Sequence, residues 1–166
     1  MAKITRAGVA IHTNGELPKV DTIAPDFVLT DGDLNDVGLD AFSGKKKLLY
    51  IVPSLDTPTC ARTTIRFNQE ASKLKNTIIL IVSADLPYAQ KRFCSVEGTD
   101  NIKPLSMMRN RNFAKDYGVL IQDGVLAGIT ARALLVIDES NKVIYSELVG
   151  EIKSEPDIDA ALKLLD

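Results

Sequence analysis

The chain has 166 residues, of which 45% are hydrophobic and 25% charged, and its net charge is −2. This length and composition predict a single globular domain over residues 1–166. The slightly acidic balance argues against a nucleic acid or an anionic membrane as a partner. No segment has the apolar length of a signal peptide or of a membrane span, so we expect a cytoplasmic protein, where a stable structural disulfide is uncommon.

The N-terminal part of the chain is predicted to form a β-hairpin followed by two strands. Residues 3–12 alternate weakly between polar and apolar side chains, and the dipeptide Asn14-Gly15 is typical of a tight hairpin turn. Phe27–Leu29 is a short strand candidate that precedes the turn-rich sequence DGDLND. Lys47–Val52 is almost continuously apolar, which indicates a central strand buried on both faces.

The rest of the chain is predicted to alternate helices and strands. In order, the elements are a helix from Pro58 to about Leu74, a strand over Thr77–Val82, a helix from Pro87 to near Gly98, a short helix over Phe113–Tyr117, strands over Arg132–Ile137 and Lys142–Leu148, and a last helix beginning at Ser154–Asp157. Right-handed connections place the two long apolar strands parallel in one sheet. We therefore predict an α/β thioredoxin-like fold, in which a central mixed sheet is flanked by helices and preceded by an N-terminal β-hairpin.

One of the two cysteines lies in the segment PSLDTPTC, which covers residues 53–60. Pro58 suits the first position of a helix, because the N–H that it lacks would have no partner there. Thr57 then becomes the N-cap, and Cys60 lies near free backbone N–H groups and the positive end of the helix dipole, which favour a thiolate. The local sequence leaves two interpretations equally open: a nucleophile assisted by the Thr57 hydroxyl, or a capping threonine followed by a buried cysteine.

Longer segments of the chain resemble a known family. Pro53, Thr57 and Cys60 form the pattern P-x-x-x-T-x-x-C, which is similar to the active-site signature of the peroxiredoxins. The segments SLDTPTC, SADLPYAQKRFC, KDYGVLI and LAGITARALLVID together resemble the atypical two-cysteine branch of that family, the bacterial thiol peroxidases. The resemblance extends over about residues 54–138, and the N-terminal Asn-Gly hairpin agrees with it.

The resemblance implies a role for each of five residues. Cys60 is placed as the peroxidatic cysteine and Cys94 as the resolving cysteine, and these two form the redox disulfide. Thr57 and Arg132 are placed in the active site, where they bind the substrate together with Pro53. The chain departs from the family at Ala61-Arg62-Thr63-Thr64, where an acidic and glutamine-containing run is more usual.

The resemblance also implies an activity and its partners. It indicates an antioxidant enzyme that reduces hydrogen peroxide and alkyl hydroperoxides through a Cys60 sulfenic acid and an intramolecular Cys60–Cys94 disulfide. Thioredoxin is the implied reductant, a homodimer the implied assembly, and no metal or bound cofactor is expected. Two cysteines and the single histidine, His12, do not form a zinc site of ordinary spacing either.

The individual residues also have plainer interpretations. Arg132 can be a surface or structural ion-pair arginine, and Cys94 a buried helix cysteine whose neighbours Lys91 and Arg92 either lower the pKa of its thiol or form a solvated face. A non-catalytic binding module or redox sensor of the same fold would need only the two cysteines. If both cysteines lie on separate helices, local unwinding is expected before they can bond, because a disulfide needs Cα atoms within about 7 Å.

Overall fold

Nine strands and four α-helices are found in residues 1–165, the part of the chain that the computed structural model describes. The strands are β1 (Lys3–Arg6), β2 (Val9–His12), β3 (Val28–Thr30), β4 (Asp36–Gly38), β5 (Lys46–Ile51), β6 (Thr77–Ser83), β7 (Lys103–Ser106), β8 (Ala133–Ile137) and β9 (Val143–Leu148). The helices are α1 (Pro58–Ala71), α2 (Pro87–Glu97), α3 (Asn112–Asp116) and α4 (Ile158–Leu162), with a 3-10 helix over Leu39–Phe42. Among these helices, none is long and apolar enough to cross a membrane.

A seven-stranded mixed sheet lies at the centre, in the order β4-β3-β7-β6-β5-β8-β9. β5, β6 and β7 are parallel to one another, whereas β8 runs antiparallel to β5 and β9 antiparallel to β8. Strands buried on both faces carry apolar residues continuously, as Leu48–Ile51 of β5 and Ile78–Val82 of β6 do. The predicted thioredoxin-like architecture, with a central mixed sheet and an N-terminal hairpin, is confirmed.

Alternate side chains of the sheet pack into two separate apolar cores, because successive residues of a strand point to opposite faces. On one face, Leu48 and Tyr50 of β5 pack with Cys60 and Phe67 of α1 and with Ile158 of α4. On the other face, the intervening residues of the same strands pack against α3 and the N-terminal hairpin. The face that carries α1 therefore contains the candidate nucleophile, and the helix is fixed there by its apolar side chains.

The hairpin is present, but its turn lies elsewhere than predicted. β1 and β2 pair in a register that brings Arg6 opposite Val9, so the two-residue turn is Ala7-Gly8, with φ angles of 52° and 80°. Both residues have positive φ, as a type I′ hairpin turn requires. Asn14 instead uses its side chain to donate to the carbonyl oxygen of Lys115 at 3.0 Å and to accept from the N–H of Leu120 at 3.1 Å. The asparagine therefore fastens the chain after β2 to the segment that follows α3.

Several element boundaries differ from the prediction. α1 ends at Ala71 rather than Leu74, and α4 begins only at Ile158, with Asp157 as the N-cap that accepts from the N–H of Ala160 at 3.0 Å. β4 and β7 were not predicted, and β7 contains Pro104, which sequence rules disfavour inside a sheet. β7 tolerates this proline because it pairs with β3 at a single residue pair, so few hydrogen bonds are needed on that side.

Two glycines with positive φ allow a test of how the fold depends on close backbone approach. A Cβ added at Gly98, which ends α2 at φ +63°, would have no atom within 4 Å, whereas a Cβ on Gly118, at φ +69°, would overlap the backbone of Glu16. We expect Gly98→Ala to lower the free energy of unfolding by about 1 kcal/mol through backbone strain alone. Gly118→Ala should lower it by about 3 kcal/mol or more, since the overlap adds to the strain.

Urea unfolding followed by circular dichroism measures both losses, and Gly98→Ala serves as the matched control. Equal losses for the two variants would contradict the close approach of Glu16 to Gly118.

Candidate active site

The segment between β5 and α1 has the predicted helix start. Pro58 occupies the first turn of α1 and Thr57 is the N-cap residue, with extended backbone angles. The Thr57 side chain does not cap the helix, however, because its hydroxyl donates to the carbonyl oxygen of Ser54 at 3.1 Å. A hydroxyl has one proton, so in this arrangement it does not donate to the cysteine sulfur either. Its lone pairs remain available to accept a hydrogen bond from a ligand.

Cys60 and Arg132 are in direct contact inside the protein. Cys60 is the third residue of α1 and is fully buried, and Arg132, directly before β8, is only 2% exposed. The Nη1 atom of Arg132 lies 2.7 Å from the sulfur of Cys60 and donates a hydrogen bond to it. The sulfur of Cys60 therefore has a positively charged hydrogen-bond donor as its direct partner. The interpretation of Arg132 as a surface residue is wrong, because its side chain is buried.

Two further acceptors fix the orientation of the guanidinium. Nη1 also donates to the Tyr50 hydroxyl at 2.9 Å, and Nε donates to the carbonyl oxygen of Ile152 at 2.9 Å. Burial alone lowers the pKa of Arg132, but Tyr50 and Cys60 raise it more, so the pKa lies above its ordinary value. Burial raises the pKa of Tyr50 to about 12, although Arg132 lowers it, and the phenol is neutral at physiological pH. The arginine is thus the fixed positive charge of the site.

Tyr50 and Ile152 belong to the site but were not predicted from the sequence. Tyr50 carries the only side-chain hydroxyl of β5 and lies on the face that packs against α1, where its ring contacts Phe67 edge-on at a centroid distance of 5.3 Å. A phenol within an otherwise apolar strand was the available signal, because a buried hydroxyl generally has a hydrogen-bond partner. Ile152 contributes a backbone carbonyl, which no side-chain pattern indicates.

The N-terminal hairpin supports the segment that holds Arg132. The N–H of Ile152 donates to the carbonyl oxygen of Thr5 at 2.9 Å. The neighbouring Glu151 carboxylate accepts from the Thr5 hydroxyl at 2.8 Å and from the backbone N–H groups of Ala7 and Gly8 at 3.0 and 3.3 Å. These hydrogen bonds, led by the one from Ala7, lower the pKa of Glu151 to about 2. The hairpin is therefore connected to Arg132 through one glutamate and one backbone carbonyl.

Cys94 lies on α2, half-buried, and is not bonded to Cys60. It packs against the same apolar core that contains Cys60. Burial raises the pKa of the Cys94 thiol, so of the two interpretations of Lys91 and Arg92 the lowered thiol pKa is wrong and the solvated face is correct. Both basic side chains are exposed, and Lys91 pairs instead with Asp33 at 3.2 Å. Both cysteines are free thiols on separate helices, so the structure is that of the reduced protein.

The departure at residues 61–64 leaves α1 continuous but places polar groups in the core. Thr64 is fully buried, and its hydroxyl finds no hydrogen-bond partner within residues 1–165. An unsatisfied buried hydroxyl costs about 1–3 kcal/mol. The helix next to Cys60 is therefore less stable than one with apolar residues in these places.

A cleft of about 650 Å³ lies between the loop before α1 and α2. Its lining includes Ser54, Leu55 and Asp56 from the loop, and Tyr88, Arg92 and Phe93 from the helix. The cleft thus separates the loop before α1 from the helix that carries Cys94. In the described part of the chain, no group of three or more His, Cys, Asp or Glu side chains is arranged to hold a metal ion.

Known proteins similar to this chain have related names and the same architecture. The Redoxin family matches residues 19–162. Thiol peroxidases of Mycobacterium tuberculosis and Mycobacterium bovis are 52% identical to this chain over 165 residues, which is 99% of this chain and 99% of each relative. A peroxiredoxin-like protein from Aquifex aeolicus superposes with a TM-score of 0.93 at 36% identity, over 99% of this chain and 96% of its own. A thiol peroxidase from Chromobacterium violaceum superposes with a TM-score of 0.89 at 29% identity, over 98% of this chain and 94% of its own.

The Glu151 contacts predict a pH dependence of stability. Its pKa is about 2 in the folded chain and 4.5 ordinarily, so its hydrogen bonds stabilise the fold fully above pH 4.5 and are lost as the pH falls towards 2. Glu151→Gln should therefore be less stable than the unsubstituted chain at pH 6, and the difference in free energy of unfolding should shrink between pH 4.5 and 2.

Urea unfolding at a series of pH values measures this difference. Glu155, whose carboxylate lies 3.5 Å from exposed Arg62, provides the control Glu155→Gln, for which we expect a small difference at every pH. A Glu151→Gln difference that stays constant down to pH 2 would contradict the assignment.

Proposed function

This chain belongs to the Redoxin family and is a peroxiredoxin enzyme, and on that premise we propose that Cys60 reduces hydroperoxides and Cys94 resolves the oxidised product. The observation that carries the proposal is the 2.7 Å hydrogen bond from Arg132 to the Cys60 sulfur. A buried guanidinium on a cysteine sulfur serves nucleophilic chemistry, whereas a non-catalytic binding module needs no such partner. This contact favours the catalytic role over that alternative.

In the first step, the Cys60 thiolate attacks one oxygen of the hydroperoxide. The S–O bond forms as the O–O bond breaks, and the released alkoxide or hydroxide takes a proton to leave as an alcohol or water. Sulfur is oxidised to a sulfenic acid and the peroxide is reduced by the same two electrons. Negative charge moves from sulfur to the leaving oxygen during this step, and the Arg132 guanidinium stabilises that charge at both positions.

The residues around the sulfur are suited to orient the peroxide. The Nη2 atom of Arg132 has no acceptor within residues 1–165, so its N–H groups can donate to a substrate oxygen. The Thr57 hydroxyl has free lone pairs because its proton is donated to Ser54, so it can accept the O–H of the peroxide. Pro53 is buried beside this loop and excludes water without offering a competing donor. We assign these three residues to substrate binding.

In the second step, the Cys94 sulfur displaces the hydroxyl group of the sulfenic acid. The S–S bond forms, the S–O bond breaks, and the Cys94 proton leaves with the oxygen as water. A dithiol reductant, which we propose is thioredoxin, then reduces the disulfide by exchange and leaves oxidised itself.

The proposal also covers the substrates and the setting of the reaction. We propose hydrogen peroxide and alkyl hydroperoxides as the substrates and a homodimer as the assembly. We further propose that residues 1–166 form one domain and that the protein acts in the cytoplasm.

The second step requires both helix regions to open locally. The first turn of α1 includes the hydrogen bond from the N–H of Ala61 to the carbonyl of Thr57 at 3.0 Å. The end of α2 includes the bond from the N–H of Thr99 to the carbonyl of Cys94 at 3.1 Å. The buried Thr64 hydroxyl of α1 has no partner within residues 1–165 and Cys94 is only half-buried, and both features favour local opening of these regions.

The division of labour between the cysteines is tested with two variants. Consumption of NADPH is followed with peroxide, thioredoxin, thioredoxin reductase and the protein. Cys60→Ser should lose peroxide reduction altogether, because serine cannot form a sulfenic acid. Cys94→Ser should consume one equivalent of peroxide, accumulate Cys60 sulfenic acid and then stop, since no disulfide is available to thioredoxin. Continuous turnover by either variant would contradict the proposal.

Local opening is tested by hydrogen exchange on the reduced and the disulfide-bonded protein. Amides in the first turn of α1 and around Phe93–Cys94 should exchange faster after oxidation, because their hydrogen bonds break when the sulfurs meet. Amides of β5 and β6 should remain protected in both states and serve as the internal control. Equal protection of the helix segments in the two states would show that no opening is needed.

A further inference from the structure

Asp85 follows the end of β6, and its carboxylate accepts three hydrogen bonds that the proposed chemistry does not use. One carboxylate oxygen accepts from the Ser54 hydroxyl at 2.7 Å. The other accepts from the backbone N–H of Leu55 at 2.8 Å and from the Ser83 hydroxyl at 2.8 Å. The side chain is half-buried, and Leu55 is 3% exposed. The carboxylate therefore fixes the loop before α1 to the end of a central strand.

The same residue is connected through Ser83 to α2, the helix that carries Cys94. Its backbone carbonyl accepts from the Ser106 hydroxyl of β7 at 2.5 Å. The Ser83 hydroxyl that donates to Asp85 also accepts from the side-chain amide of Gln90 in α2 at 3.0 Å, and this amide donates to the Leu105 carbonyl at 2.9 Å. Gln90 lies one helical turn before Cys94. A continuous chain of hydrogen bonds thus connects the loop of one cysteine with the helix of the other.

The loop held by Asp85 also determines where Thr57 lies. Ser54 donates its hydroxyl proton to Asp85, accepts from the Asp56 N–H at 3.1 Å and receives the Thr57 hydroxyl on its carbonyl at 3.1 Å. Releasing Ser54 and Leu55 from the carboxylate would leave a buried N–H without a partner and free the loop to move. Thr57 and the first turn of α1 would then lose their fixed position relative to Arg132.

We propose that Asp85 is a positioning residue that holds the Ser54–Thr57 loop in the arrangement that reacts with peroxide and delays its opening for disulfide formation. This inference rests on the proposed function, because it concerns the two steps assigned there to Cys60 and Cys94. A residue that holds the loop in the arrangement that reacts with peroxide accelerates the oxidation of Cys60 and slows the formation of the Cys60–Cys94 disulfide. Its removal should therefore change the two rates in opposite directions, which a general loss of stability would not do.

The test measures the two steps separately in Asp85→Ala. In the Cys94→Ser background, the second-order rate of Cys60 oxidation by hydrogen peroxide should fall about tenfold, as is usual when a hydrogen bond to a charged group is lost. In the chain with both cysteines, the rate constant of disulfide formation after oxidation should rise severalfold. Rapid-quench alkylation with mass spectrometry gives both values, and exchange of the Leu55 amide should accelerate.

Asp56→Ala is the matched control, since Asp56 lies on the same loop but is exposed. Its carboxylate accepts no hydrogen bond from residues 1–165, so both rates should stay unchanged. Asp85→Asn keeps an acceptor for the Leu55 N–H and should restore the peroxide rate in part. If Asp85→Ala does not fold, Ser54→Ala removes one of the three hydrogen bonds. It should also slow the oxidation of Cys60 and accelerate disulfide formation, by smaller factors.

The outcomes separate this inference from the proposed function. Suppose that the unsubstituted chain forms its disulfide, but that in Asp85→Ala the rates of Cys60 oxidation and disulfide formation both fall or both stay unchanged. This result would overturn the role of Asp85 and leave the proposed function intact. A chain that oxidises Cys60 but never forms the Cys60–Cys94 disulfide would overturn the second step of the proposed function. In that case the peroxide rate and the exchange of the Leu55 amide still decide whether Asp85 positions the loop.

Discussion

The contact between the Arg132 guanidinium and the Cys60 sulfur is the constraint around which the rest of the structure is arranged. Both groups are almost completely withdrawn from water, and a buried positive charge is costly unless it is paired and hydrogen-bonded. Arg132 has three protein acceptors in the sulfur of Cys60, the hydroxyl of Tyr50 and the carbonyl of Ile152. Each acceptor comes from a different part of the fold, so the sheet, α1 and the chain after β9 must all be in place together.

The N-terminal hairpin and Asp85 extend this arrangement in two directions. Through Glu151, the hairpin supports the carbonyl that orients Arg132, so a peripheral element contributes to the centre of the site. Through Ser54 and Leu55, Asp85 fixes the loop that leads into α1. In the proposed mechanism, the loop is fixed for the reaction with peroxide and released for disulfide formation. The unsatisfied hydroxyl of Thr64 and the partly exposed Cys94 lie in the two helices that would open in that proposal.

Prediction from the sequence succeeded where the governing interactions are local. The apolar runs of β5 and β6 and the proline at the start of α1 depend on neighbouring residues only, and they were located within one or two positions. The prediction of a hairpin turn at Asn14-Gly15 was wrong, because the Asn14 side chain bonds instead to Leu120, which lies 106 positions further along the chain. β7 was missed because Pro104 is unfavourable in isolation and acceptable only next to a weakly paired neighbour.

The sequence by itself determined the fold class, the helix start that carries Cys60, and the family motif that relates Cys60, Thr57, Cys94 and Arg132. Only the tertiary structure decided that Arg132 reaches the sulfur, since the two residues are 72 positions apart and meet because β8 pairs with β5 beside α1. Tyr50, Ile152, Glu151 and Asp85 likewise acquire their roles from long-range packing. Hydrogen bonds between distant segments leave no periodic pattern in a sequence, because their partners are set by the pairing of strands rather than by spacing along the chain.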